Sequence, residues 1–244
     1  YKMVNNLITD NNAGSEESNG IYGGGIYSSV NNQGVEGEIH PSIINCTIAN
    51  NKVNGSSSSH GGVYVQGRSI DVLNTIIWHN IPPNTLGGSP LNSNIENQGS
   101  TLDTNPLFLD MYNGDYRLSD YSPSIGTGTL EGAPATDFDG NPRPLPEGTN
   151  TDRGAYENAL GERLTGATYY VSIAGSDSSN GLLASPFNTI QRGIDAAWSG
   201  DTVIVYPGTY AGNVNYQGKS IVLASRILEN GDTTYVDSTI IEGT

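Results

Sequence analysis

Apolar positions in the first hundred residues fall in short clusters separated by polar turns, with no sustained helical spacing. Asn5-Asn6-Leu7-Ile8-Thr9-Asp10-Asn11 aligns with Asn45-Cys46-Thr47-Ile48-Ala49-Asn50-Asn51 and with Asn74-Thr75-Ile76-Ile77-Trp78-His79-Asn80, sharing the pattern Asn-x-x-Ile-x-x-Asn. The copies start 40 and then 29 positions apart, and between them stand Gly24-Gly25-Ile26-Tyr27 and Gly61-Gly62-Val63-Tyr64. β-Branched residues in such clusters suit a pleated, half-buried surface. Asn tolerates left-handed backbone and hydrogen-bonds locally, which suits corners between strands. Gly pairs allow tight corners where no Cβ fits.

A short strand repeated with loops of varying length predicts a solenoid, in which each layer buries its face against the next. The expected fold class is therefore all-β, a right-handed parallel β-helix, with Ile8, Ile48 and Ile77 inside. A sandwich would not need one motif to recur. In the glycine-led repeats Ile26 and Val63 point inward, which leaves Tyr27 and Tyr64 outside.

Beyond Trp78 the repeat fades. Asn105-Pro106-Leu107-Phe108, Gly114-Asp115-Tyr116-Arg117-Leu118, Ser122-Pro123-Ser124-Ile125-Gly126, Asp137-Phe138-Asp139-Gly140-Asn141-Pro142-Arg143-Pro144 and Asp152-Arg153-Gly154-Ala155-Tyr156-Glu157 follow in order. These motifs resemble the closing segment of the β-helix proteins called choice-of-anchor Q and, more loosely, of polymorphic outer-membrane proteins. Tyr169-Tyr170-Val171-Ser172, Gly175-Ser176-Asp177, Ser185-Pro186-Phe187-Asn188-Thr189-Ile190-Gln191 and Gly200–Tyr210 resemble the opening of pectate-lyase-like β-helix proteins. Ile190, Ile194 and Ala197 lie at helical spacing, so a short capping helix is expected near 188–198, with Asn188 as its N-cap and Gly200 after its end. The resulting division is a C-terminal part of a β-helix over 1–158, a linker over 159–168, and an N-terminal part of a β-helix over 169–244. A closing segment that precedes an opening one leaves both helices incomplete. The strand-like start at Tyr1-Lys2-Met3, with no signal peptide, reads as a mature fragment or an excised region.

Composition narrows the function. The chain has 244 residues with 32 Gly, 12 Pro and 14% charged residues, a balance that disfavours helices. Its formal net charge of −15 repels phosphate backbones and excludes nucleic acid as a natural partner. Lone Cys46 excludes an internal disulfide and reads as a small packed residue. No apolar run reaches membrane-spanning length. The sequons at Asn45 and Asn54 are expected by chance in so Asn-rich a chain.

Chemistry is sparse. There is no nucleophile elbow, zinc-protease motif or phosphate loop. His40, His60 and His79 are scattered, and structural positions account for them. β-Helix polysaccharide lyases need a cation or Arg against a uronate carboxylate and a Lys, Arg or His base. Lys2, Lys52 and Arg68 are the fixed positive charges of the repeat region and form no cluster. Asp137, Asp139 and Asp152 are candidate oxygen ligands for calcium, the one cofactor the sequence suggests, with turn stabilisation as the plainer reading. Tyr27 and Tyr64 are candidates for a sugar-binding strip. Val4 and Ile240 mark open strand edges expected to pair with each other, within one chain as a circularly permuted helix or between copies stacked head to tail. The expected function is a secreted or cell-surface structural or adhesive module that binds glycans or assembles with itself or with neighbouring repeats of a longer chain. The alternative is a polysaccharide lyase or hydrolase acting on acidic polysaccharide.

Overall fold

The computed structural model describes residues 2–14, 24–29, 41–54, 60–66, 70–82, 90–97 and 102–243. His40 and Arg68 lie outside the described residues. The chain divides into two compact units, Tyr1–Arg163 and Leu164–Thr244.

In the first unit the strands are β1 (Lys2–Val4), β2 (Leu7–Thr9), β3 (Asn12–Gly14), β4 (Ile26–Ser29), β5 (Ser42–Ile44), β6 (Thr47–Ala49), β7 (Lys52–Asn54), β8 (Val63–Gln66), β9 (Asp71–Leu73), β10 (Ile76–Trp78), β11 (Asn94–Ile95), β12 (Phe108–Asp110) and β13 (Asp115–Leu118). The three Asn-flanked repeats pair in parallel and in phase, with Ile8 opposite Ile48 and Ile48 opposite Ile77. Ile48 and Ile77 are fully buried, and Ile8 packs against the same cluster. Cys46 is also buried there, its thiol donating to the Ile44 carbonyl.

The expected β-helix is corrected by these sheets. Among the described residues the strands form seven small, separate sheets of two to four strands, one of them antiparallel, with few helices, and they do not build a solenoid. The physical reason lies in the repeat itself. It specifies only how its own copies pair, and after the copies starting at Asn5, Asn45 and Asn74 no further copy follows to continue the stack. After β11 the chain leaves the parallel pattern for the β12–β13 pair, whose register shifts between Phe108 and Asp110.

The two Asn of the repeat have different uses. The first, at Asn5, Asn45 and Asn74, turns the corner with φ near +50°. The last builds a ladder along the strand direction of pairing. Asn11 Nδ2 donates to Asn51 Oδ1 at 2.8 Å, and Asn51 Nδ2 donates to Asn80 Oδ1 at 2.9 Å and to the Ile8 carbonyl at 2.9 Å. The Gly pairs are needed because the chain passes too close for a side chain: a Cβ on Gly24 would lie 2.4 Å from the Gly61 carbonyl oxygen.

In the second unit, β14 (Thr168–Val171), β15 (Thr202–Val205) and β17 (Val222–Ser225) form a parallel sheet, and β16 (Gly208–Ala211) pairs in parallel with β18 (Thr239–Glu242). Helix α1 (Ile190–Ala196) packs Ile190 and Ile194 into a core with Tyr169, Val171, Phe187 and Val203. Two short helices, α2 (Ile227–Asn230) and α3 (Thr234–Asp237), lie between β17 and β18. The N-cap is Thr189 rather than Asn188: its hydroxyl accepts from the Arg192 amide. Asn188 is still extended lead-in, held with Thr189 by Asp177, whose carboxylate accepts both backbone amides. Gly193 is required where α1 meets the sheet, because a Cβ there would fall 2.8–2.9 Å from Val203 and Val171 methyls.

Ile48→Ala is expected to cost about 2–5 kcal/mol in a urea titration, the range for a buried truncation that leaves a cavity. Asn51→Ala orphans buried groups on both neighbouring repeats, at roughly 1–3 kcal/mol per group. Asn11→Ala, at the exposed end of the ladder, should lose less than Asn51→Ala. Equal losses at the two positions would show that the ladder does not couple the repeats.

Candidate functional site

The β4–β8 pairing sets Tyr27 opposite Tyr64. Val63 is fully buried, and Tyr27 stands out at 46% exposure. The two rings stack with centroids 5.8 Å apart and planes 11° apart, and His60 stacks on Tyr64 at 4.5 Å and 14°. Burial holds His60 below the usual histidine range. The expected strip is therefore a column of rings whose faces turn toward one another, so Tyr64 offers ring edges rather than a face to a ligand.

The carboxylates of the closing segment are held by backbone donors. Asp137 Oδ1 accepts from the Asn141 amide at 2.7 Å, and its Oδ2 accepts from the Glu157 amide at 2.9 Å and from Asn141 Nδ2 at 3.0 Å. Asp152 Oδ1 accepts from the Gly126 amide at 2.7 Å and Oδ2 from the Asn158 amide at 2.6 Å. Asp139 is exposed on the turn beside Asp137. Among the described residues no group of three or more His, Cys, Asp or Glu is placed to hold a metal ion.

Between these acids lies a pair that sequence reasoning did not single out. The Arg143 and Glu157 side chains, both fully buried, form an ion pair. Arg143 Nη2 also donates to the Gly154 and Ala155 carbonyls at 3.0 and 2.9 Å. Glu157 accepts further from Thr151 Oγ1 and from the Asp152 and Leu145 amides. The signal was present, since Arg143 and Glu157 belong to two of the quoted closing motifs. A fully buried pair of this kind is a structural brace, costly to break and weak as evidence of net stabilisation.

The closing segment docks along the corner column of the repeats. Arg143 Nη2 reaches Asn5 Oδ1, Asn45 Nδ2 donates to the Asp152 carbonyl, and the Thr129 amide donates to Asn74 Oδ1. Asn45, half of one sequon, is thus fully buried. Of the proposed edge residues, Val4 ends β1 opposite Ile44 and is half-buried, and Ile240 in β18 is 46% exposed. An apolar pocket of about 390 Å³ opens beside β1 and β4, lined by Met3, Ile26, Tyr27, Ile43 and Ile70 among others. Among the described residues no helix is long and apolar enough to cross a membrane. The chain matches no protein-family model, no curated protein and no solved structure.

Asp152 generates a pH prediction. Burial, reinforced by the neighbouring Glu157 carboxylate, pushes its carboxyl up to about 8, against the opposing pull of the Asn158 and Gly126 amides. The folded protein then holds a proton that the unfolded chain, titrating near the ordinary 3.8, releases. Stability from this group is present below the unfolded value and is lost as pH rises towards 8. Wild type should lose stability relative to Asp152→Asn between pH 4 and 8 in paired denaturation curves. A relative gain with rising pH would mean that the amide donors keep Asp152 ionised.

Proposed function

We propose that this chain is an extracellular structural or adhesive module that works by strand-edge addition between copies. The observation that carries the reading is that β1, β2, β3 and β4 each end their own sheet, so four sheets each leave a strand edge open. The pocket between Met3, Ile26 and Ile43 opens beside β1 and β4, and Asn11 ends the amide ladder. Unpaired strand edges and uncovered apolar surface favour a further layer. In the second unit β17 and β18 likewise end their sheets, and Val222, Ile240 and Ile241 are exposed on them. Strand edges of these two kinds, one from each copy, make a heterologous contact, which propagates instead of closing.

A structural rather than lyase-like role is supported by how the cations are engaged. Arg143 is paired with Glu157, Arg153 donates to the Ser93 and Thr127 carbonyls, and Lys219 Nζ donates to the Ile194 and Asp195 carbonyls.

The net charge of −15 opposes association at low ionic strength and is screened by salt. Sedimentation velocity should show a mass that rises with protein concentration and more steeply in about 0.5 M salt than in about 0.02 M. The double variant Met3→Lys, Ile26→Lys should stay monomeric while keeping its β circular dichroism. A wild-type chain that stays monomeric across both salts would overturn the reading.

A further inference from the structure

Sheet β16–β18 is one strand shorter than its neighbour β14–β15–β17. After β14 the chain runs through turns as far as Asn188 and adds no strand alongside β16. A groove of about 410 Å³ occupies that place, lined by Ile173, Asn188, Gln191, Thr209, Ala211 and Ile241 among others. The amides of Gly208 and Gly212 donate to the Ser238 and Glu242 carbonyls of β18 and its approach. Because strand groups alternate sides with period two, Thr209 and Ala211 direct their N–H and C=O groups away from β18. Among the described residues those groups have no hydrogen-bond partner.

We propose that this groove takes an extended peptide strand, which adds in parallel or antiparallel fashion to the outer edge of β16. The ligand's backbone would exchange hydrogen bonds with Thr209 and Ala211, the mode of β-augmentation. A four-residue strand spans about 13 Å, the length of β16. None of the residues lining the groove is charged, in a chain of net charge −15. The strand in the groove is therefore uncharged, with small or β-branched side chains, and basic residues at its flanks gain from the surrounding acidic field. A saccharide fits less well: the only aromatic ring in the lining, Tyr210, is buried, with its hydroxyl donating to the Tyr206 carbonyl. The groove adjoins β16, whereas the proposed association uses β17, β18 and the strands β1 to β4, so the two can fail separately.

The probe is a fluorescein-labelled hexapeptide of alternating Thr and Val flanked by Lys, titrated into the full chain and followed by anisotropy and by amide hydrogen exchange. Binding with slowed exchange at Thr209 and Ala211 is expected. Ala211→Pro removes one outward donor and leaves the β18 pairing intact, and it should weaken binding about tenfold with self-association unchanged. Ile173→Asp, at an exposed position on the groove wall, should weaken it as well and guards against a misfolded proline variant. Unaltered exchange at both amides, wild-type affinity in both variants, or preference for a neutral glucan hexasaccharide over the peptide would overturn the proposal.

Discussion

The first unit depends on one constraint: strands that end after three residues must satisfy their backbone groups at every corner. Asn meets it in two ways within a single repeat. Asn5, Asn45 and Asn74 adopt left-handed backbone that most side chains resist, and so turn the chain without glycine. Asn11, Asn51 and Asn80 bond one to the next through their side-chain amides, with the buried Asn51 and Asn80 also capping the Ile8 and Ile48 carbonyls. Each buried amide thus fixes the height and phase of its repeat relative to its neighbours. Because this register is set by side chains, the loops between repeats are free to differ in length.

The corner column also fixes where the closing segment goes. The closing segment packs Phe108, Tyr116, Leu118 and Ile125 against Ala49, Ile76 and Trp78, and its Gly-, Pro- and Asp-rich turns dock through polar contacts to Asn5, Asn45 and Asn74. Such a contact needs internal rigidity, since each hydrogen bond is worth only about 1 kcal/mol net. The Arg143–Glu157 pair supplies it by tying the 143 turn to the 151–157 turn with the charges removed from water. Asp137 and Asp152 complete the brace by accepting amides from segments distant in sequence.

These features differ in how legible they were. The in-phase pairing of Ile8, Ile48 and Ile77 could be read directly, because a motif with Asn at both ends and Ile between leaves one register that buries the apolar position. The extension to a whole β-helix did not follow, because a motif fixes how neighbours pair and not how many layers continue. The N-cap slipped by one residue for a local reason: Asn188 and Thr189 are both good caps, and only the reach of Asp177 to both amides decides between them. Arg143, a Pro-flanked Arg in a turn, carries no local pattern that marks it as buried. Its burial depends on Glu157, Thr151 and two carbonyls that no local pattern reveals.

The two ends of the first unit are treated differently, and the contrast supports the proposal that copies add at one of them. At the far end, β11 is narrowed to two residues and continued by a single bridge to Leu102. Beyond it β12 and β13 fold back on each other with a register shift, and Arg117 and Asp115 form an ion pair on β13. Short, irregular and charged strands are the usual protections against edge-to-edge pairing. At the near end, β1 to β4 are regular and all parallel to their partners, and the described charge on them is Lys2, at the start of β1. Unprotected regular edges beside an open apolar pocket favour a covering strand, and this asymmetry is what supports the proposed association at the near end.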